Sequence, residues 1–163
     1  MVEVIFFDSD KTLMHFAAEH PIPNCSYTFF SSSLNHTNNK KLLFYKNAEI
    51  LSVFAHSDVL DTKKLDFFPN LKLIATRSTG INHIDKAYCQ KRNIQIQNVP
   101  YYGAQTVAEF AFGLLLALSR HLISATQDMS HNQIHISKYT GFDLYGKTIG
   151  IVGTGSIGAH MKI

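Results

Sequence analysis

Residues 147–158 read KTIGIV and then GTGSIG, so that a β-like run passes directly into a G-x-G-x-x-G turn. The pattern predicts a strand over residues 147–152 and a helix that begins within the glycine motif. The first glycine permits a tight turn, the second lets the backbone approach a pyrophosphate, and the third lets helix and strand pack closely. The motif indicates a dinucleotide site, with a chance glycine-rich turn as the alternative. Its residues are Gly153, Thr154, Gly155, Ser156, Ile157 and Gly158.

A dinucleotide-binding domain needs a second signal further along the chain. An Asp or Glu that binds the ribose hydroxyls is expected about 20 residues beyond the glycines. The sequence ends at Ile163, before that point. We therefore expect residues 101–163 to be the truncated start of such a domain, with residues 127–163 poorly ordered in isolation.

The composition is that of a folded protein. Of the 163 residues, 45% are apolar and 17% are charged, which excludes a disordered chain. The formal charge is only +3, and no basic stripe is visible, which argues against nucleic acid as a partner.

The two cysteines and the apolar stretches indicate a protein of the cytoplasm. Cys25 and Cys89 have neither metal-ligand spacing nor a disulfide framework, so we expect no metal and a reducing compartment. The acidic N-terminus lacks the basic region of a signal peptide. The apolar stretch 110–119 is shorter than the roughly 20 residues that a bilayer requires, so no membrane is expected.

Upstream of the glycine motif, short β-like runs alternate with helical patterns. Such alternation predicts a parallel α/β sheet, and the first 100 residues are close to ordinary domain size. The predicted strands cover residues 2–7, 26–30, 50–55, 71–76 and 94–99, the predicted helices cover 62–68 and 84–93, and 31–40 is a polar loop.

A long helix is predicted from about residue 105 to about residue 126, because its apolar residues recur at spacings of three and four. Thr106 and Glu109 fit a capping box at the start of this helix. Residues 127–141 are polar and are predicted to form a loop.

Three segments occur in order along the chain: RSTGINHID at 77–85, NVPYYGAQTVAE at 98–109 and GFDLYGKTIGIVGTGSIG at 141–158. Together they resemble the D-isomer-specific 2-hydroxyacid dehydrogenases, most closely the D-lactate dehydrogenase branch. The resemblance implies a flavodoxin-like, parallel-sheet substrate domain over residues 1–100. It also implies that residues 101–163 are the truncated start of an NAD-binding Rossmann domain.

The resemblance further implies hydride transfer between NADH and a small 2-keto acid such as pyruvate. In this family the loop that matches Ser78, Thr79 and Gly80 offers backbone amides to the substrate carboxylate, since a glycine-containing turn can aim N–H groups at an anion. Tyr102 matches a position lining the substrate pocket, and Thr106 matches one beside the nicotinamide. Surface packing for Tyr102 and a plain helix cap for Thr106 are the alternatives. Full-length members commonly form homodimers through the Rossmann domain.

The catalytic residues of the family have no counterpart in this chain. Hydride transfer to a 2-keto acid needs a proton donor and a cation for the carboxylate, a task to which Arg is suited. Family members use a His, a Glu and an Arg that all follow the glycine motif. We therefore expect the chain alone to be inactive, and we do not expect His83 to replace the missing acid.

A rival interpretation begins from the N-terminal sequence Asp8-Ser-Asp10-Lys-Thr-Leu. This D-x-D-x-T-L pattern resembles the opening motif of haloacid-dehalogenase-type phosphatases. Asp8 would then be the nucleophile and Asp10 the general acid/base, and the two would hold Mg²⁺. The alternative is a turn at the end of a strand with a helix cap. A further interpretation is a non-catalytic fragment that binds related dehydrogenase subunits.

Overall fold

The computed structural model describes residues 1–54, 59–133 and 135–162. The chain forms two compact units, Met1–Pro100 and Tyr101–Ile163. Residue 55, the last of the predicted strand 50–55, lies outside the described residues.

The first unit is built on a five-stranded sheet in which all neighbouring strands are parallel. Its strands are β1 (Val2–Phe6), β2 (Cys25–Phe29), β3 (Ile50–Val53), β4 (Leu73–Thr76) and β5 (Gln95–Gln97). Their spatial order is β2-β1-β3-β4-β5, which is the flavodoxin-like order. The predicted α/β fold with a parallel sheet is therefore confirmed.

Short helices alternate with these strands: α1 (Lys11–Glu19), α2 (Asn39–Leu42), a 3₁₀ turn (Leu43–Tyr45), α3 (Thr62–Leu65) and α4 (Lys86–Lys91). An Asp or Asn side chain caps the first turn of each α-helix by accepting a hydrogen bond from a backbone amide, which satisfies a group that has no partner within the helix. The predicted helix 62–68 ends at Leu65, because Phe67 and Phe68 turn back with bonds of the 3₁₀ type.

A row of apolar side chains crosses the centre of the sheet. Ile5, Leu51 and Ile74 are opposite one another on β1, β3 and β4, and all three are fully buried. Burial of this row on the sheet face excludes water and fixes the register of the three strands. The register in turn fixes where each strand ends, and β4 ends at Thr76.

The second unit contains α5 (Ala104–Ser119), α6 (Leu122–Ser130), a 3₁₀ turn (Ile136–Tyr139) and α7 (Ser156–His160). The prediction of one helix over 105–126 is wrong, because His121 has a φ of 53° and interrupts the helical hydrogen bonding. The chain bends by 62° at this break. Residues 127–130, predicted as loop, belong to α6. No single helix among the described residues has the length and hydropathy of a membrane span; only α5 and α6 taken as a bent pair do.

The predicted capping box at Thr106 is also wrong. α5 begins two residues earlier, and Gly103 is its N-cap, with no side chain accepting a hydrogen bond there. The carbonyl of Gly103 accepts from the amide of Val107 at 2.9 Å. Thr106 is therefore inside the first helical turn, where its hydroxyl is not at the capping position.

The predicted strand over residues 147–152 does not form. Strand N–H and C=O groups need a neighbouring strand as a partner. Within the described part of residues 101–162 no β-strand is present. The apolar pattern of this segment therefore has nothing to pair with.

Candidate functional site

The candidate site of the first unit is the loop that follows β4. Parallel α/β sheets bind ligands at the carboxyl ends of their strands, and this loop leaves that edge. Ser78 is only 7% exposed, whereas Thr79 and Gly80 lie at the surface. The three residues predicted from the sequence to bind a carboxylate therefore form one turn with a buried beginning and an exposed tip.

Three consecutive carbonyl groups of this loop are held by hydrogen bonds. The amide of Val99 donates to the Ser78 carbonyl at 3.0 Å, and Asn98 Nδ2 donates to the Thr79 carbonyl at 2.8 Å. Ser78 Oγ donates to the Gly80 carbonyl at 2.8 Å. In addition, Thr79 Oγ1 donates to the Val99 carbonyl at 3.1 Å. The chain after β5 thus fixes the peptide planes of the loop.

The opposite sides of these peptide planes carry the amides of Thr79, Gly80 and Ile81. In a planar trans peptide the C=O and N–H point in opposite directions, and the described residues contain no cis peptide bond. Among the described residues, none of the three amides donates to another backbone group. Backbone N–H groups without a partner in the protein are the donors that anion sites made of backbone use, so these three amides are the candidate donors of the loop.

Ile81 is a candidate donor that the sequence analysis missed. A backbone amide leaves no mark on the sequence, since any residue but proline supplies one. The only signal in the sequence was the neighbouring Gly80. In the structure, a Cβ at this position would meet no atom within 4 Å.

Beneath the loop lies a small polar network. Thr76 Oγ1 is 2.7 Å from Ser78 Oγ and 3.2 Å from His83 Nε2. Thr76 is buried and His83 is half-buried. Burial lowers the pKa of His83 from its ordinary value, because an apolar environment disfavours the charged imidazolium.

Arg77 joins the ends of three strands. Its Nη2 donates to the carbonyls of Phe7 and Asp8 at 2.6 and 3.1 Å, and its Nη1 donates to Ser52 Oγ at 3.3 Å. The guanidinium also lies over the Phe54 ring, 5.9 Å from its centroid. Arg77 therefore fixes the carboxyl edge of the sheet directly before the loop.

Arg77 borders a cleft of about 460 Å³ at the end of β1. The cleft is lined by Asp8, Asp10, Thr12, Leu13, Phe16, Phe54 and Arg77. Asp10 Oδ1 accepts from the amide of Leu13 at 2.7 Å and caps α1. Asp8 has a φ of 50°, and its buried Oδ2 meets no donor among the described residues. The φ of Asp8 and the cap formed by Asp10 support the interpretation of these two residues as a turn and a helix cap. In the described part of the chain, no group of three His, Cys, Asp or Glu side chains is placed to hold a metal ion.

The glycine motif of the second unit forms a turn into α7. Gly153 has a φ of 103°, which other residues rarely adopt, and Gly155 is the N-cap of α7. A Cβ on Gly158 would lie 2.0 Å from the Gly153 carbonyl oxygen. The sequence assigned the third glycine to close packing of a helix on a strand; no strand forms over residues 147–152, and the close approach joins α7 to the turn instead.

The remaining predicted site residues lie near the start of the second unit. Tyr102 is 64% exposed, and Thr106 is exposed in the first turn of α5. Both side chains are thus available for contact with a ligand.

Acidification tests the burial of His83. Its pKa is lowered by burial from the ordinary value of 6.5, so the unfolded chain takes up this proton at a higher pH than the folded chain. The stability that comes from burying neutral His83 is therefore fully present above pH 6.5. It is lost as the pH falls toward the lowered pKa. We predict that His83→Gln loses less free energy of unfolding than the parent between about pH 7 and pH 5 in urea denaturation. An equal decline in the two proteins would contradict this.

The sequence matches the model of a family described as "D-isomer specific 2-hydroxyacid dehydrogenase, catalytic domain" over residues 4–153. Among similar proteins, "2-hydroxyacid dehydrogenase homolog 1" of Schizosaccharomyces pombe is 36% identical over 122 residues, which are 74% of this chain and 37% of that protein. The glyoxylate reductase of Thermofilum pendens is 39% identical over 109 residues, which are 63% of this chain and 31% of that protein.

The structure is similar to that of D-lactate dehydrogenase from Aquifex aeolicus, solved in complex with NAD and lactic acid. The TM-score is 0.84 at 30% sequence identity, and the match covers 97% of this chain and 46% of that one. The chain spans less than half the length of each of these three proteins. The family match, the identities and the fold agree: the chain belongs to the D-isomer specific 2-hydroxyacid dehydrogenase family.

Proposed function

We propose that this chain supplies the substrate-carboxylate loop and the start of the nucleotide site of an NAD-dependent D-2-hydroxyacid dehydrogenase. The reaction is reversible hydride transfer between NADH and a small 2-keto acid, with pyruvate as the leading substrate. The observation that carries the proposal is the set of three held carbonyls at Ser78, Thr79 and Gly80. They leave three adjacent amides for a carboxylate.

The loop serves as a carboxylate site because its donors are fixed before a ligand arrives. Each carbonyl is already held within the first unit, so little conformational entropy is lost when an anion accepts from the amides. Hydrogen bonds to a charged acceptor are roughly twice as strong as neutral ones. The backbone of Thr79, Gly80 and Ile81 thus binds and orients the acid, and Tyr102 keeps the role in substrate binding that the family resemblance implies.

The glycine turn fits a dinucleotide. A Cβ on Gly153 or Gly155 would meet no atom within 4 Å, so the backbone of the turn is open to a pyrophosphate. Gly153, Thr154, Gly155, Ser156, Ile157 and Gly158 would hold the phosphates, and Thr106 would lie beside the nicotinamide. Bound NADH supplies the hydride. We propose NAD because the Aquifex aeolicus relative was solved with it.

Turnover requires a proton donor, a residue that tunes it and a cation for the substrate carboxylate. In the family these groups follow the glycine motif, and no residue of this chain matches them. We therefore propose that residues 1–163 alone bind ligands without catalysing the reaction. The free thiols of Cys25 and Cys89 support a cytoplasmic location, and the family implies a homodimer through the second unit.

A carboxylate titration tests the loop. We predict that pyruvate shifts the backbone amide signals of Thr79, Gly80 and Ile81 in the ¹H–¹⁵N spectrum of the chain, because these N–H groups donate to its carboxylate. Methyl pyruvate is the matched control, since it keeps the ketone and lacks the charge. Equal shifts with both compounds, or shifts elsewhere only, would overturn the proposed carboxylate site.

An alanine substitution tests the nucleotide turn. We predict that Gly158→Ala abolishes NADH binding, because the added Cβ would lie 2.0 Å from the Gly153 oxygen and displace the turn. Gly150→Ala is the control, since a Cβ there meets no atom within 4 Å. Binding is measured by NADH fluorescence, and no NADH should be consumed when pyruvate is added. Equal binding by the two variants, or none by the parent, would refute the proposed turn.

A further inference from the structure

A line of four polar groups runs from His83 to the carboxylate loop. His83 Nε2 is 3.2 Å from Thr76 Oγ1, which is 2.7 Å from Ser78 Oγ. Ser78 Oγ is 2.8 Å from the Gly80 carbonyl oxygen. Thr76 and Ser78 are both buried, with exposures of 2% and 7%, so water is excluded from the centre of the line.

Counting protons gives this line one direction. The Gly80 carbonyl can only accept a hydrogen bond, so Ser78 donates its single hydroxyl proton to it. Thr76 must then donate to Ser78, which uses the single proton of Thr76 as well. His83 is left as the donor at the far end, through Nε2–H. The direction follows from the inventory of donors and acceptors alone and holds for the neutral and the protonated ring.

The last bond of this line sets the orientation of one peptide plane. With the Gly80 carbonyl turned inward toward Ser78, the Ile81 amide of the same peptide points outward. Hydrogen bonds in a chain polarise one another, so each donor strengthens the next. Loss of the first donor would leave the buried Thr76 oxygen with no hydrogen bond to accept, and would weaken the bond that Thr76 donates to Ser78.

The backbone of His83 is held independently of its ring. The amide of Leu60 donates to the His83 carbonyl at 2.8 Å, and Leu60 forms a parallel bridge with Ile84. Asp85, the next acidic residue, accepts from the amide of Tyr88 and from Thr62 Oγ1. A change of the His83 side chain therefore alters the polar line without removing these backbone contacts.

We propose that His83 is a positioning residue for substrate binding, acting through Thr76 and Ser78 on the peptide plane that presents the Ile81 amide. This inference rests on the proposed function of the loop. His83 does not touch the substrate in this account. Its ring keeps one amide of the carboxylate site aimed outward.

Two substitutions at residue 83 separate this role from simple packing. His83→Leu fills space but removes the donor, whereas His83→Gln keeps a terminal N–H near the position of Nε2. In the ligand-free chain, we expect His83→Leu to shift the amide signals of Gly80 and Ile81 in the ¹H–¹⁵N spectrum. His83→Gln should restore both, and β1 signals should stay unchanged. Thr76→Val and Thr76→Ser form a second pair with the same expectation, should His83→Leu fail to fold.

Pyruvate titration of the same proteins completes the test. We expect His83→Leu to weaken pyruvate binding about three- to tenfold, the range of one net hydrogen bond, and His83→Gln to bind within about twofold of the parent. If the parent responds to pyruvate and His83→Leu binds equally well with unshifted loop amides, the inference is overturned and the proposed function stands. If the parent itself does not respond, the proposed function fails, and the role of His83 in substrate binding fails with it.

Discussion

The hydrogen bonds that hold the carbonyls of Ser78, Thr79 and Gly80 are the constraint on which the proposed carboxylate site depends. Each bond fixes one peptide plane, and the three planes carry the amides of Thr79, Gly80 and Ile81 on their opposite sides. The donors come from two places, the chain after β5 and the buried hydroxyl of Ser78. The donors after β5 depend on the sheet, because β4 and β5 must be parallel neighbours for residues 98–99 to reach the loop. The proposed anion site of backbone amides thus depends on strand order.

The rest of the carboxyl edge supports the same loop. Arg77 donates to carbonyls at the end of β1 and to Ser52 on β3, so the strand end that precedes the loop is fixed to its neighbours. The buried row of Ile5, Leu51 and Ile74 sets the strand register from which this edge follows. The guanidinium of Arg77 thus contacts the scaffold of the sheet.

The loop at residues 78–80 was predicted through the family resemblance of residues 77–85, whereas sequence reasoning predicted the sheet from β-like runs that alternate with helical patterns. It failed where the outcome depends on partners or on one dihedral angle. The apolar spacing continues from Leu118 to Leu122, so the pattern could not reveal the left-handed φ of His121 between them. The run 147–152 has strand composition but no neighbouring strand among the described residues. The Ile81 amide and the bond from His83 to Thr76 carry no sequence signature.

The most direct test of the account is a crystal structure of the 163-residue chain with oxamate, an analogue of pyruvate that keeps the carboxylate. We expect the carboxylate oxygens at about 2.7–3.2 Å from the amide nitrogens of Thr79, Gly80 and Ile81. A carboxylate seated instead on Arg77, in the cleft beside Asp8, would contradict it, because the guanidinium and not the backbone loop would then be the anion site.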